Sequence, residues 1–164
     1  LEGDAVGAVV AAADPLPVAD LGWLALRPWR QLVAGLFAGP DFRVWPERIA
    51  SGAVRGDAAV RRLLGGWLLT RLPITPPALH AGDGPTAVEL HAGAGAPAAT
   101  FVVASAGGDA VVASAAVAGG PAHRRHVVVP APSTAELLRA ALAEPDSGAV
   151  WRAALAAGRA WSGA

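Results

Sequence analysis

Apolar positions recur along this chain with two different periods, and the change of period divides it. From Trp29, the residues Trp29, Leu32, Val33, Leu36 and Phe37 fall at i, i+3, i+4, i+7 and i+8, one continuous stripe on a helix. Pro28 fits the first turn of that helix, where its missing N–H is no loss, or else kinks a longer one; Gly39-Pro40 ends it. Asp57 is a plausible N-cap for a second helix carrying Val60, Leu63, Leu64, Trp67, Leu68 and Leu72, with Arg61, Arg62 and Arg71 mostly on the other side and Pro73 as the stop. Between these helices, Arg48 to Gly56 alternates weakly and reads as a strand.

After His80 the period becomes that of a strand. Short runs at Thr86 to His91, Thr100 to Ala106, Ala110 to Ala118 and His123 to Val129 are separated by Asp83-Gly84, Gly107-Gly108-Asp109 and Gly119-Gly120-Pro121, residues suited to tight turns. Short turns imply antiparallel neighbours. Helix returns at Ser133, where Glu136 completes a capping box, and Leu137, Leu138 and Leu142 form its apolar stripe. Pro145 punctuates the chain before a last Ala-rich helix, Ala149 to Trp161, with Trp151, Leu155 and Trp161. The expected fold is therefore α+β: a mainly antiparallel sheet of about five strands with amphipathic helices packed on one face. Residues 1–19 read as an upstream helix remnant (Glu2 to Ala13) and a Pro-rich linker, and 20–164 as the domain, with Asp20 a plausible N-cap for the segment that begins at Leu21.

Composition narrows the function. With 54% hydrophobic and 16% charged residues the chain can bury a core. A formal net charge of zero supplies no field towards nucleic acid or an anionic membrane, and Arg55, Arg61, Arg62 and Arg71 make one modest basic stripe without an aromatic strand platform. All 13 basic residues are Arg, which a GC-rich coding bias explains. With no Cys there is no disulfide, thiolate metal site or thiol switch, which suits a bacterial cytoplasm. No apolar run is long enough to span a bilayer, and the first residues lack a signal peptide. A chain that starts at Leu1 and has no Met reads as a piece of a longer protein.

Chemistry is sparse. His123 and His126 sit three apart on a strand, on opposite faces, and flank Arg124-Arg125, so they read as exposed strand-edge residues and no metal site is expected. There is no G-x-S-x-G elbow and, without Lys, no phosphate loop. Asp20, Asp57 and Glu136 are better explained as helix-start residues than as an acid–base pair. No catalytic residue and no cofactor is expected. Six Trp in an Ala-rich chain remain. Those on helix stripes suit a core, but Trp beside Arg is also the composition of interface hot spots.

The stretch DLGWLALRPWRQLVAGLF (Asp20 to Phe37), followed by LLGGWLLTRL (Leu63 to Leu72), resembles the C-terminal half of the OpcA family, the glucose-6-phosphate dehydrogenase assembly proteins of cyanobacteria and actinobacteria. Asp20, Leu21, Trp23, Leu26, Pro28, Trp29 and Arg30 match the first family motif; Gly66, Trp67, Leu68, Arg71 and Leu72 match the second. A later VPAPSTAELL agrees with the family's helix start. The chain departs at Ala25, where the family usually has Arg, and at Arg27, where Thr is usual.

The resemblance implies a non-catalytic factor that binds glucose-6-phosphate dehydrogenase, favours its active oligomer and supports NADPH supply through the oxidative pentose phosphate pathway. It also implies a missing N-terminal half of the same protein. The motif residues Asp20, Trp23, Pro28, Trp29, Arg30, Trp67 and Arg71 are the candidate partner-binding positions. Two alternatives stay open: a domain sensing a sugar phosphate or nucleotide anion through Arg27, Arg30 and Arg71, and an inert dimerisation half.

Overall fold

The computed structural model describes residues 20–93, 98–120, 122–143 and 148–162. The expected upstream helix, the linker before Asp20 and the punctuation at Pro145 lie outside the described residues. Asp20, in extended backbone, accepts the Trp23 N–H at 2.9 Å and so starts α1 (Leu21–Ala25). Leu26 joins it to α2 (Arg27–Leu36), whose first turn contains Pro28. After a single 3₁₀ turn at Pro46–Arg48, β1 (Ile49–Arg55) leads to Asp57, whose Oδ1 accepts the Val60 N–H at 2.8 Å and caps α3 (Ala58–Arg71). A second 3₁₀ turn at Pro76–Ala78 precedes β2 (Leu79–Gly82), and the rest is β3 (Ala87–Ala92), β4 (Ala99–Gly107), β5 (Ala110–Val117), β6 (Ala122–Val128), α4 (Thr134–Ala143) and α5 (Ala149–Ser162).

The sheet has six strands in the order β2-β1-β3-β4-β5-β6. From β1 through β3 to β6 every pairing is antiparallel, as the turn chemistry implied. The strand beyond the expected five is β2, which pairs with β1 in parallel, so the sheet is mixed. It was illegible because only Leu79 of its four residues is buried, too short a stretch to display a period, and because its partner is reached through a crossover containing α3.

Register fixes which side chains enter the core. Val54, Val88, Val103 and Ala113 are successive partners across the sheet, as are Gly52, Leu90, Phe101 and Ala115. All eight are buried. The alternate positions, among them Glu89, His91, Thr100 and Ser114, are only half-buried, so one face carries the core. Helix α2 lies on β4 and β5, and α3 on β1 and β2. Phe101 is the centre: Phe37, Phe42 and Trp45 stand 4.6, 6.0 and 6.5 Å from its ring. Burying such an aromatic contributes about 2–3 kcal/mol.

Helix α5 packs on α3 at backbone distance. A Cβ on Gly66 would collide with the Ala154 carbonyl oxygen and come 2.6 Å from the Gly158 nitrogen. At one end of α5, Trp151 is buried; at the other, Trp161 Nε1 donates to the Leu79 carbonyl at 2.9 Å. Helix α4 departs from expectation. None of its residues is buried, Leu138 is half exposed and Leu142 is 85% exposed, because α4 packs against α1 with its Leu138–Leu142 side turned outward.

Candidate functional site

Four aromatic and charged side chains join α1, α2 and α5. Asp20 caps α1 with Oδ1, while Oδ2 accepts the indole N–H of Trp151 at 3.1 Å. Trp23, one turn on, is buried. Its carbonyl accepts Arg30 Nη1 at 2.6 Å, and the Arg30 guanidinium lies 3.4 Å from the Trp23 ring centroid. A cation over an indole face is attracted by the ring quadrupole, more strongly when water is partly excluded, as for this half-buried Arg30. Asp20, Trp23 and Arg30 thus interlock, and Pro28 sets the backbone that carries Arg30 back onto Trp23. Trp29 is half-buried against the core, and Arg27 is exposed at the start of α2.

The second motif faces a groove. Val33 of α2, Phe37 at its C-cap, Trp67 and Leu68 of α3 and Leu72 at its end line a cavity of about 270 Å³, bordered by Pro46 and rimmed by the exposed Arg71. Phe37, Trp67 and Leu72 are half-buried, so apolar surface reaches water along the groove. Arg71 is exposed in the last turn of α3, where the helix dipole favours a cation. Among the described residues it is the groove's one ionisable lining group, so the lining offers neither a nucleophile nor an acid–base pair. What this surface can do is seat an apolar side chain and hold a carboxylate beside it.

The sequence-derived positions therefore fall into two places. Asp20, Trp23 and Arg30 form the interlock; Trp67 and Arg71 belong to the groove; Pro28 and Trp29 lie on α2 between them. Arg30, drawn onto Trp23, does not line the cavity that Arg71 rims, and neither does Arg27. Sequence reasoning missed Trp151 as the partner of Asp20, a contact 131 residues apart that leaves no local signal. It also missed Pro46, which follows no periodic segment. His123, Arg124, Arg125 and His126 are all exposed on the edge strand β6, as the sequence suggested.

Among the described residues no group of three His, Asp or Glu could hold a metal ion, and no helix is long and apolar enough to cross a membrane. Comparison with known families gives a match over residues 16–155, from before α1 into α5. The matching family is described as the C-terminal domain of a glucose-6-phosphate dehydrogenase subunit. No curated protein and no solved structure matches the chain significantly.

Proposed function

The chain belongs to the family formed by the C-terminal domain of that glucose-6-phosphate dehydrogenase subunit, and from that premise we propose that it is a non-catalytic assembly and allosteric factor for the dehydrogenase. In this reading it binds the enzyme, favours its active oligomer and thereby raises NADPH production in the oxidative pentose phosphate pathway. The supporting observation is the family match itself, which spans both Trp/Arg helix motifs. The physical basis is linkage: a partner that binds the active assembly more tightly than the inactive one shifts the population towards it. The groove between α2 and α3 is the contact surface we assign, with Trp67 as apolar anchor and Arg71 as the charge at its rim.

The test mixes the full-length protein with its cognate dehydrogenase and follows activity and oligomer size together. Complex formation with a rise in activity supports the proposal; absence of a complex and unchanged kinetics overturn it. Calorimetry of this chain alone against glucose 6-phosphate and NADP separates it from the anion-sensing alternative, which requires direct binding.

A further inference from the structure

The two edges of the sheet are finished differently. At one, β2 has only four residues, Trp161 Nε1 holds the Leu79 carbonyl, and Arg61 Nη1 reaches the Gly82 carbonyl at 3.5 Å. At the other, β6 has seven residues, every one from Ala122 to His126 is exposed, and no described strand pairs with its outer side. Such an edge is a template for another strand.

The side chains on this edge specify which strand. Pairing with β5 sets His123 opposite Ala115 and Arg125 opposite Ala113, on the face that carries the helices. Arg124 and His126 oppose Ser114 and Val112 on the other face. Basic or imidazole groups thus occupy four consecutive positions and both faces. Among the described residues neither Arg124 nor Arg125 has an ion pair. Beside the inner pair lies a cavity of about 310 Å³ between α2 and β6. Leu36 and Phe42 line it from one side and the small Ala113 and Ala115 of β5 from the sheet. Gly35 admits Arg125: a Cβ there would stand 2.9 Å from Arg125 Nη2. The rings of Phe42 and His123 meet edge to face at 5.2 Å.

We propose that β6 accepts an acidic, extended segment of a partner protein as a seventh strand, with one bulky apolar side chain of that segment seated in the cavity between α2 and β6. Main-chain pairing supplies affinity, and the cavity and charges supply specificity. Because successive side chains of a strand alternate between faces, carboxylates at consecutive positions are needed to meet both Arg124 and Arg125. A second copy of β6 does not fit, since its sequence AHRRHVV carries no carboxylate to meet either Arg in any register. Residues 1–19 do not fit either: their acidic residues are Glu2, Asp4 and Asp14, with no two adjacent. The inference follows from β6 and the cavity beside it and does not depend on the dehydrogenase being the partner.

The experiment titrates the full chain with a labelled synthetic peptide, EDELEDE, at low salt, reading fluorescence anisotropy and amide hydrogen exchange. Expected are binding, slowed exchange in residues 122–128, and affinity about tenfold weaker or worse for the R124E/R125E double variant. R124K/R125K retains affinity within about threefold, and circular dichroism reports that both variants keep the fold. The same peptide N-methylated at alternate backbone positions loses binding, because it cannot pair. No binding, unchanged exchange in β6, equal binding of the N-methylated peptide, or equally tight binding of a single-stranded oligonucleotide would each overturn the proposal.

Discussion

At Asp20 the two carboxylate oxygens serve different elements, Oδ1 the first turn of α1 and Oδ2 the indole of Trp151 on α5. Loss of an N-cap costs about 1 kcal/mol, and loss of a hydrogen bond to a charged group about 1.5–3 kcal/mol. Asp20→Ala is therefore expected to lower stability by about 3 kcal/mol, and Trp151→Phe, which keeps an aromatic ring but loses the indole N–H and part of the buried ring system, by about 2 kcal/mol or more. In the double variant the two losses should fall well short of additive in urea unfolding, because both remove one bond. Simple additivity would mean that the contact contributes nothing. Asp20 was legible as a cap from its sequence position; its second role was not, since nothing near it in the chain refers to Trp151.

Among the elements, α3 and α5 owe their distance to glycine. In an isolated helix Gly→Ala gains about 1 kcal/mol. Gly66→Ala should reverse that sign and lose about 3 kcal/mol or more, because the new methyl meets the Ala154 carbonyl of a neighbouring backbone that cannot rotate away. The check is the shift in denaturation midpoint; a stabilised variant would refute the close packing.

Helix α4 makes a different prediction. The Ser133 hydroxyl and N–H donate to Glu136 Oε2 at 2.7 and 2.8 Å, and these bonds, the hydroxyl's first, hold the Glu136 carboxyl below its usual range. A depressed folded-state value means that the carboxylate's contribution is present above the unfolded-state range and is lost as pH falls through the folded one. Amide protection factors in the first turn of α4, which correct for the slower intrinsic exchange in acid, should fall on acidification through that window, and Glu136→Gln should remove the dependence. The capping box was readable from Ser133 and Glu136 alone. The exposure of Leu138 and Leu142 was not, because a helical stripe says which residues share a face and not whether anything covers it. Leu142→Ser, at so exposed a position, should change stability by no more than about 0.5 kcal/mol.

Taken as a whole, the molecule reads well from its periods where pairing is local and poorly where it is not. The β3–β6 meander and the stripes of α2 and α3 follow from alternation and helical spacing. The parallel pairing of β2 with β1 depends on a crossover, and the groove between α2 and α3 on how two helices diverge. Arg71→Glu, on the exposed rim of that groove, should leave stability within about 0.5 kcal/mol and weaken the dehydrogenase complex about tenfold or more. Unchanged affinity would move the contact surface elsewhere.

The position of α5 also constrains when this protein can fold. Its Trp151 is made 131 residues after the Asp20 it binds, and its Trp161 82 residues after Leu79. At ribosomal speeds of about 5–20 residues per second, Asp20 waits roughly 7–26 s for its partner. Through that interval the flank of α3 that α5 will cover stands open, so a nascent chain stalled before Ala149 should be a substrate for ribosome-associated chaperones, and one released after Ser162 should not.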